Sequence, residues 1–274
     1  MTITPRNNPI TAAPPPSGTS PIYLGTVLLE ANRWAKDRTP TYRVSEWLER
    51  IAAAGFDGIE LWENHSTLAD CAERSALRGS TVPVRVFNSY VPLDAGGENA
   101  RRTVAGLVRE LNAGAVKFNV SNSPETLESE LRTVREWAAL MPGVDLLCEC
   151  HPGTALEDPA VAARALAGFP EIGVIVNPFS CPDLAAWFRQ LGPRIRHAHV
   201  QMRDPEWRWL CLRDQPSLAR ERLAILRGAG YAGSFTVEFT AGVGVAPEDR
   251  DALFAAACND LAFLREESSI QETF

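Results

Sequence analysis

GVIVNPFSCPDLAAWFRQLGPRIRHAHVQ, residues 173–201, contains the repeating unit from which we predict the fold. Its first five residues form an apolar run that ends at Asn177, as is typical of a buried parallel strand. A helical segment follows near 182–191, with Pro182 suited to its first turn, and a second strand begins at Ile195. This order predicts a βαβ unit, in which the two strands are parallel.

The same alternation continues in both directions along the chain. The predicted strands are 22–29, 58–62, 82–87, 115–120, 145–151, 173–177, 195–201 and 234–239. The predicted helices are 41–54, 66–78, 97–113, 124–140, 158–168, 182–191, 216–229 and 247–266. Eight alternating pairs predict an α/β fold, a single-domain (β/α)₈ TIM barrel. A doubly wound open sheet is the structural alternative, but it usually has fewer strands, and no GxGxxG follows the first strand here.

The length of 274 residues fits one barrel with short extensions. Residues 1–20 combine prolines with small and polar residues, which predicts a disordered N-terminal arm because such a segment buries little apolar area. We place the barrel at 21–268 and a C-terminal tail at 269–274.

Charge and composition disfavour several classes of partner. Lysine and arginine total 27 against 34 acidic residues, and the formal charge of −7 repels nucleic-acid phosphates. The apolar runs are too short to cross a bilayer, so we expect no membrane partner. The six cysteines have no regular spacing, which favours reduced thiols in a cytoplasmic protein. A homo-oligomer is possible, although nothing in the sequence specifies one.

Polar residues stand at the carboxyl ends of four consecutive predicted strands. In a barrel these ends point into the mouth, where active sites are built. Alternation along each strand predicts which side chains share the inner face: Glu149 and His151, then Asn177, then His197, His199 and Gln201, then Thr236 and Glu238. Singly, each also fits a surface ion pair or a satisfied core residue. Together they predict a site for a divalent cation, for which Mn²⁺, Mg²⁺, Co²⁺ or Zn²⁺ all fit.

Five strings carry a resemblance to a known family. They are AGFDGIELW at 54–62, CECHPGT at 148–154, VNPFS at 176–180, RHAHVQMRD at 196–204 and GYAGSFTVEF at 230–239. The chain resembles the sugar phosphate isomerase/epimerase family, or xylose isomerase-like barrels, over about 22–266.

The resemblance implies roles for individual residues. Glu149, Asn177, His199 and Glu238 match the four metal-ligand positions of the family, which are usually Glu, Asp, His and Glu. The two glutamates also match its proton-transfer pair, and Glu60 and His151 match positions that commonly line the pocket. Asn177 departs from the usual aspartate, and an amide oxygen carries no formal charge to attract a cation.

Other residues are candidates for contact with a substrate. The segment 202–215 is predicted to cover the substrate, with Trp207 and Trp209 stacking on a ring and arginines at 203, 208 and 213 holding an anion. A loop packed on the barrel rim is the alternative. His65 is a candidate auxiliary acid or base, and His197 is either a substrate contact or a satisfied core imidazole.

The predicted function is isomerisation or epimerisation of a small keto sugar or a related polyhydroxylated carbonyl compound. Glu149 and Glu238 would transfer the proton through a metal-stabilised enediolate. A lyase that uses the same proton abstraction, and a non-catalytic binding barrel, are the alternatives. An abasic-site endonuclease is disfavoured by the negative charge.

Overall fold

The computed structural model describes residues 20–269. Its strands are β1 Ile22–Gly25, β2 Ile59–Trp62, β3 Val84–Asn88, β4 Ala115–Phe118, β5 Asp145–Glu149, β6 Ile172–Val176, β7 Ile195–Arg203, β8 Trp209–Leu210 and β9 Ser234–Phe239. Its α-helices are α1 Leu48–Ala54, α2 Asn64–Thr67, α3 Cys71–Gly79, α4 Glu98–Glu110, α5 Leu127–Ala138, α6 Pro159–Leu166, α7 Leu184–Leu191, α8 Pro216–Gly228 and α9 Arg250–Ser269. The predicted N-terminal arm and C-terminal tail lie outside the described residues, except for Ser20 and Ser269.

Eight strands close into a parallel barrel. Each strand from β1 to β7 pairs with the next in the chain, β7 pairs with β9, and β9 pairs with β1. The short strand β8 pairs antiparallel with the end of β7 and extends it as a hairpin above the barrel. The prediction of a (β/α)₈ TIM barrel is confirmed.

The first strand and the first two helices differ from the prediction. β1 ends at Gly25, and the chain turns into a 3₁₀ helix, Thr26–Leu29, where the apolar run predicted more strand. The Trp62 amide donates to Thr26 Oγ1 at 2.9 Å, so a side chain replaces the ladder carbonyl there. The first predicted helix begins with a 3₁₀ turn, Val44–Trp47, and the second is divided into α2 and α3.

The barrel interior has one apolar layer near its amino-terminal end. Tyr23, Val86, Ala115, Leu147 and Ile175 form this small cluster on the inner face. Outward-facing strand residues pack against the helices in a much larger core. Because side chains alternate along a strand, the next inward positions lie above the apolar layer, and most of them are polar. The carboxyl end of the barrel is therefore the polar end.

The last helix is attached to the hairpin segment through a buried carboxyl group. Asp260 of α9 is 1% exposed, and its Oδ1 accepts the Leu212 amide at 2.7 Å. Burial raises the pKa of Asp260 to about 7 from its ordinary 3.8, against the lowering effect of that hydrogen bond.

Across the described residues, no helix combines the length and the apolar character that a bilayer crossing requires.

We expect Asp260→Asn to stabilise the protein more at pH 8 than at pH 5. Between pH 4 and pH 7 the folded carboxyl keeps a proton that the unfolded chain has released, so wild-type stability falls as pH rises through this window. Asparagine removes the titration and keeps the acceptor for Leu212, which gives a gain of roughly 4 kcal/mol at most. Urea unfolding at pH 5, 6, 7 and 8 measures the difference, with exposed Asp37→Asn as the control. A gain equal at all four pH values would contradict the expectation.

Candidate active site

The inner face of the barrel carries a layer of buried polar side chains above the apolar cluster. Each comes from a strand of the barrel or from the residue that follows one. The layer consists of Glu60, Asn88, Lys117, Glu149, Asn177, His199, Thr236 and Glu238. Polar groups that are removed from water need partners inside the protein or from a ligand, so the contacts within this layer decide what the site can do.

His199 lies at the centre of this layer. Its Nδ1 is 3.3 Å from Glu149 Oε1 and 3.2 Å from Glu238 Oε2. Its Nε2 lies 3.2 Å from Glu60 Oε2. The structure therefore brings together the two predicted glutamates and the predicted histidine, which come from three different strands.

Asn177 completes the predicted set from the end of β6. Its Nδ2 donates to Glu149 Oε1 at 3.4 Å, so the amide lies beside the carboxylates as the sequence suggested. Its Oδ1 is buried and has no hydrogen-bond partner among the described residues.

Lys117 is a member of the site that the sequence reasoning missed. Its ammonium lies 2.9 Å from Glu149 Oε2 and donates to Asn119 Oδ1 at 2.6 Å. It also lies 4.4 Å from the centre of the Tyr90 ring. The available signal was a lysine inside the apolar run 115–120, since alternation puts it on the same face as Ala115.

The buried charges stabilise one another. Burial would raise the pKa of Glu149, but the charges of Lys117 and His199 outweigh it and hold that pKa well below its usual range. Burial would lower the pKa of His199, but Glu238, Glu60 and Glu149 raise it well above its usual value. The Glu149 carboxylate is therefore ionised, and its cationic partners in this layer stabilise that charge.

The residues fit a divalent cation. The ligand atoms of Glu149, His199 and Glu238 all lie within 4.8 Å of one another. The buried Oε2 of Glu238 lies near His199 but makes no hydrogen bond, and Asn177 Oδ1 makes none either. Oxygen and imidazole donors of this kind suit Mn²⁺, Mg²⁺, Co²⁺ and Zn²⁺. Glu60 accepts from the far side of the imidazole, which is the usual arrangement behind a metal-bound histidine.

Glu60, His197 and His65 were predicted to contact the substrate, but none of the three lines the cavity. Glu60 is 1% exposed, and it accepts Asn88 Nδ2 at 2.8 Å. His197 is fully buried, with Nδ1 2.7 Å from Ser234 Oγ and Nε2 2.9 Å from Thr236 Oγ1. These surroundings are those of the alternative prediction, in which His197 is a core imidazole whose two nitrogens both have partners.

His65 is placed behind the first strand. Its Nδ1 lies 2.9 Å from Thr26 Oγ1, and its Nε2 lies 2.6 Å from Glu30 Oε1. Both ring nitrogens are engaged in a buried network that ties α2 to the segment after β1. This placement gives His65 a role in fixing the first loop of the barrel.

The cavity itself has a volume of about 440 Å³, which is within the range of small-molecule sites. Glu149, Asn177, Glu238 and Lys117 line its floor. His151, Arg203 and Trp207 line its upper part, together with residues that include Trp34, Tyr90, Trp209 and Phe239.

Two of the three arginines predicted to hold an anion are engaged elsewhere. Arg208 pairs with Asp204 at 2.6 Å, and Arg213 pairs with Glu266 at 2.5 Å. Arg203 alone of the three lines the cavity. The segment 202–215, which was predicted to cover the substrate, begins with the hairpin that the end of β7 forms with β8.

Neither a protein-family model nor a curated protein matches the chain. By structure, 105 solved chains match. AsbF of Bacillus anthracis, the probable 3-DHS dehydratase, aligns at TM-score 0.67 and 15% identity over 86% of this chain and 97% of that one. A xylose isomerase domain protein of Planctomyces limnophilus aligns at TM-score 0.63 and 13% identity over 93% and 98%. The chain has a xylose isomerase-like TIM-barrel fold. A third solved structure, that of the IOLI protein with a bound zinc atom, aligns at TM-score 0.65 and 14% identity over 90% of this chain and 99% of that one.

We expect Lys117→Met to lower the free energy of unfolding by about 3–5 kcal/mol, because it leaves the Glu149 carboxylate buried without its cation. Adding Glu149→Gln should restore part of the loss, which a double-mutant cycle from urea unfolding measures. Lys36→Met, at an exposed lysine, is the control. Additive effects of the two changes would show that the pair has no mutual stabilisation.

We expect the protein to bind one equivalent of Mn²⁺ or Zn²⁺ in equilibrium dialysis. Glu60→Gln should weaken binding by about 10- to 100-fold, because it removes the negative charge behind His199 without changing a ligand. Asn177→Asp should tighten binding, because it adds a negative charge. Glu63→Gln is the control, since that carboxylate accepts from Ser89 and Tyr90 instead. Equal affinities for Glu60→Gln and wild type would remove Glu60 from the site.

Proposed function

We propose that the protein is an isomerase or epimerase that moves a proton at the carbon next to the carbonyl of a small keto sugar or a related polyhydroxylated compound. One observation carries the proposal: Glu149 and Glu238 approach the same His199 nitrogen, at 3.3 and 3.2 Å, on the floor of a closed-ended cavity. Two carboxylates that reach one small molecule supply the acid and the base that this reaction needs.

Glu238 is the better placed base. Its Oε2 is buried and makes no hydrogen bond, so it is available to a ligand proton. Burial excludes water, which makes an oxygen without a partner more reactive towards a bound substrate.

Glu149 is the second proton-transfer group: it takes up a proton from solvent and gives it to the substrate, while Glu238 releases to solvent the proton that it removed. Glu149 Oε2 is held by Lys117 and by Asn119 Nδ2, at 2.9 and 3.3 Å, so its orientation is fixed. Lys117 keeps its own proton, because Glu149, Tyr90 and Glu238 raise its pKa against the opposing effect of burial, so its role is to hold Glu149 in place. Oε1 makes only longer contacts, at 3.4 Å with Asn177 Nδ2 and 3.3 Å with His199 Nδ1, and we assign this oxygen to the substrate.

A divalent cation held by Glu149, Asn177, His199 and Glu238 would act as a Lewis acid for the negative charge that develops on the substrate oxygens. The IOLI protein, whose structure contains zinc, supports this part of the proposal by its shared fold.

A structural relative supports the substrate class. YcjR of E. coli, a 3-keto-D-glucoside 4-epimerase, aligns at TM-score 0.62 and 15% identity over 90% of this chain and all of that one. Epimerisation next to a keto group requires the same removal and return of a proton. The cavity volume also suits a molecule of sugar size.

A lyase is the second candidate, and His151 favours it. His151 lies on the upper cavity wall, half-buried, above the Glu149 carboxylate. An imidazole there is suited to protonating a group that leaves the substrate β to its carbonyl. The AsbF neighbour, named as a dehydratase, shares the fold.

We expect Glu238→Gln and Glu149→Gln each to reduce solvent deuterium exchange into a 3-keto glucoside by at least about 100-fold, since each loses one proton-transfer group. Mass spectrometry of the substrate pool measures the exchange, and circular dichroism checks the fold. Glu157→Gln is the matched control, because that exposed glutamate lines the same cavity above the floor.

The same measurement separates the candidate functions. An isomerase or epimerase leaves the product mass unchanged apart from deuterium, whereas a lyase lowers it by the mass of the expelled group. Full exchange in either glutamine variant would refute the two-carboxylate mechanism. Exchange by neither wild type nor variants, together with binding of the sugar, would identify a non-catalytic barrel.

A further inference from the structure

The upper part of the cavity contains a continuous row of aromatic side chains. The Trp34 and Phe239 rings lie 5.9 Å apart, and the Phe239 and Trp209 rings lie 4.8 Å apart. The Arg203 guanidinium stacks on Trp209 at 3.6 Å and lies 5.1 Å from the Trp207 ring. We call these five residues the aromatic shelf. All of them line the cavity that has the carboxylates on its floor.

The aromatic shelf exposes apolar surface that nothing in the described chain covers. Trp207 is 74% exposed and Trp34 is 58% exposed. Among residues 20–269, five large hydrophobic side chains are strongly exposed, and three of them, Trp34, Tyr90 and Trp207, line this one cavity. Such a concentration marks a binding surface, whereas single exposed side chains elsewhere need no explanation.

Backbone strain is found at the same place. Trp207 has φ of 64° and Arg38 has φ of 47°, in the left-handed region that side chains disfavour. Asn112 is the third such residue outside glycine in the described ranges, and its type tolerates this conformation. A bulky tryptophan held in this conformation at a cavity mouth indicates that its position matters for binding.

The arginines of the mouth have free hydrogen-bonding edges. Arg203 and Arg38 form no ion pair within the described residues, in contrast to Arg33, which pairs with Glu248 at 2.7 Å. Arg38 stacks on Tyr90 at 5.0 Å, as Arg203 stacks on Trp209. A guanidinium that lies flat on a ring keeps its N–H groups directed outward, where an oxygen of a ligand can accept them.

We propose that the aromatic shelf is a subsite for a planar aromatic group, so that the substrate is an aromatic glycoside rather than a free sugar. Its sugar part occupies the floor, which rests on the proposed function, and its aromatic part stacks on Trp207 and Trp34 with an oxygen substituent towards Arg203. The aromatic shelf favours an aromatic ring over a second sugar. Four aromatic side chains offer broad apolar faces, while a second sugar has several hydroxyl groups that need hydrogen-bond partners.

The test uses binding of glycosides that have no keto group and cannot react. Calorimetry of the full chain with phenyl β-D-glucoside, methyl β-D-glucoside and cellobiose should show the phenyl compound binding at least about tenfold more tightly than the other two. Trp207→Ala and Trp34→Ala should each reduce that difference by about three- to tenfold and leave methyl glucoside binding unchanged. Leu68→Ala removes an equally exposed hydrophobic side chain, 57% exposed, away from the cavity and should change nothing.

Three results would overturn the proposal. They are equal or undetectable binding of the phenyl and methyl glucosides, cellobiose binding as tight as that of phenyl glucoside, and an unchanged phenyl preference in both tryptophan variants. The deuterium-exchange test is independent of these measurements. A phenyl preference without exchange would refute the proposed function and leave the subsite standing, and exchange without a phenyl preference would do the reverse.

Discussion

The polar layer inside the barrel depends on the neutralisation of three carboxylates that the fold has removed from water. Glu60, Glu149 and Glu238 are each at most 6% exposed. Lys117 lies 2.9 Å from Glu149, and His199 lies within 3.3 Å of all three carboxylates. Buried carboxylates are costly in an interior unless a positive group lies beside them. The arrangement is therefore one that a bound cation would stabilise.

The principal site residues could be predicted because the barrel relates sequence to position in a simple way. A strand's alternation determines which side chains face inward, and its carboxyl end determines which of these reach the mouth. Glu149, His199 and Glu238 are separated by tens of residues along the chain, and they meet because all three are inward-facing residues near strand ends. No knowledge of side-chain contacts was needed for that prediction. The resemblance added the expected metal-ligand roles, which geometry makes plausible through the unbonded oxygens of Asn177 and Glu238.

The remaining assignments depended on contacts that sequence patterns do not contain. His65 follows a strand, as a site residue should, yet a hydroxyl and a carboxylate from the first loop hold both of its nitrogens. Lys117 lies inside the predicted strand 115–120, and only its partner Glu149 on the neighbouring strand explains why a lysine is buried there. The apolar run after Gly25 had the composition of a strand, and the Thr26 hydroxyl ended the ladder there. Each case is a long-range hydrogen bond that overrides a local preference.

The division of the cavity into a charged floor and an aromatic mouth has a consequence for catalysis. Contacts with a part of the substrate that does not react can be used to hold the reacting carbon against the carboxylates, which lowers the entropic cost of the proton transfer. A rigid floor alone would bind a small sugar in several orientations, because hydroxyl groups resemble one another. A planar group bound on the aromatic shelf removes that ambiguity, since the two ends of the substrate are then chemically distinct. The aromatic shelf would in this way determine which carbon of the sugar faces Glu238, although the shelf residues do not contact that carbon.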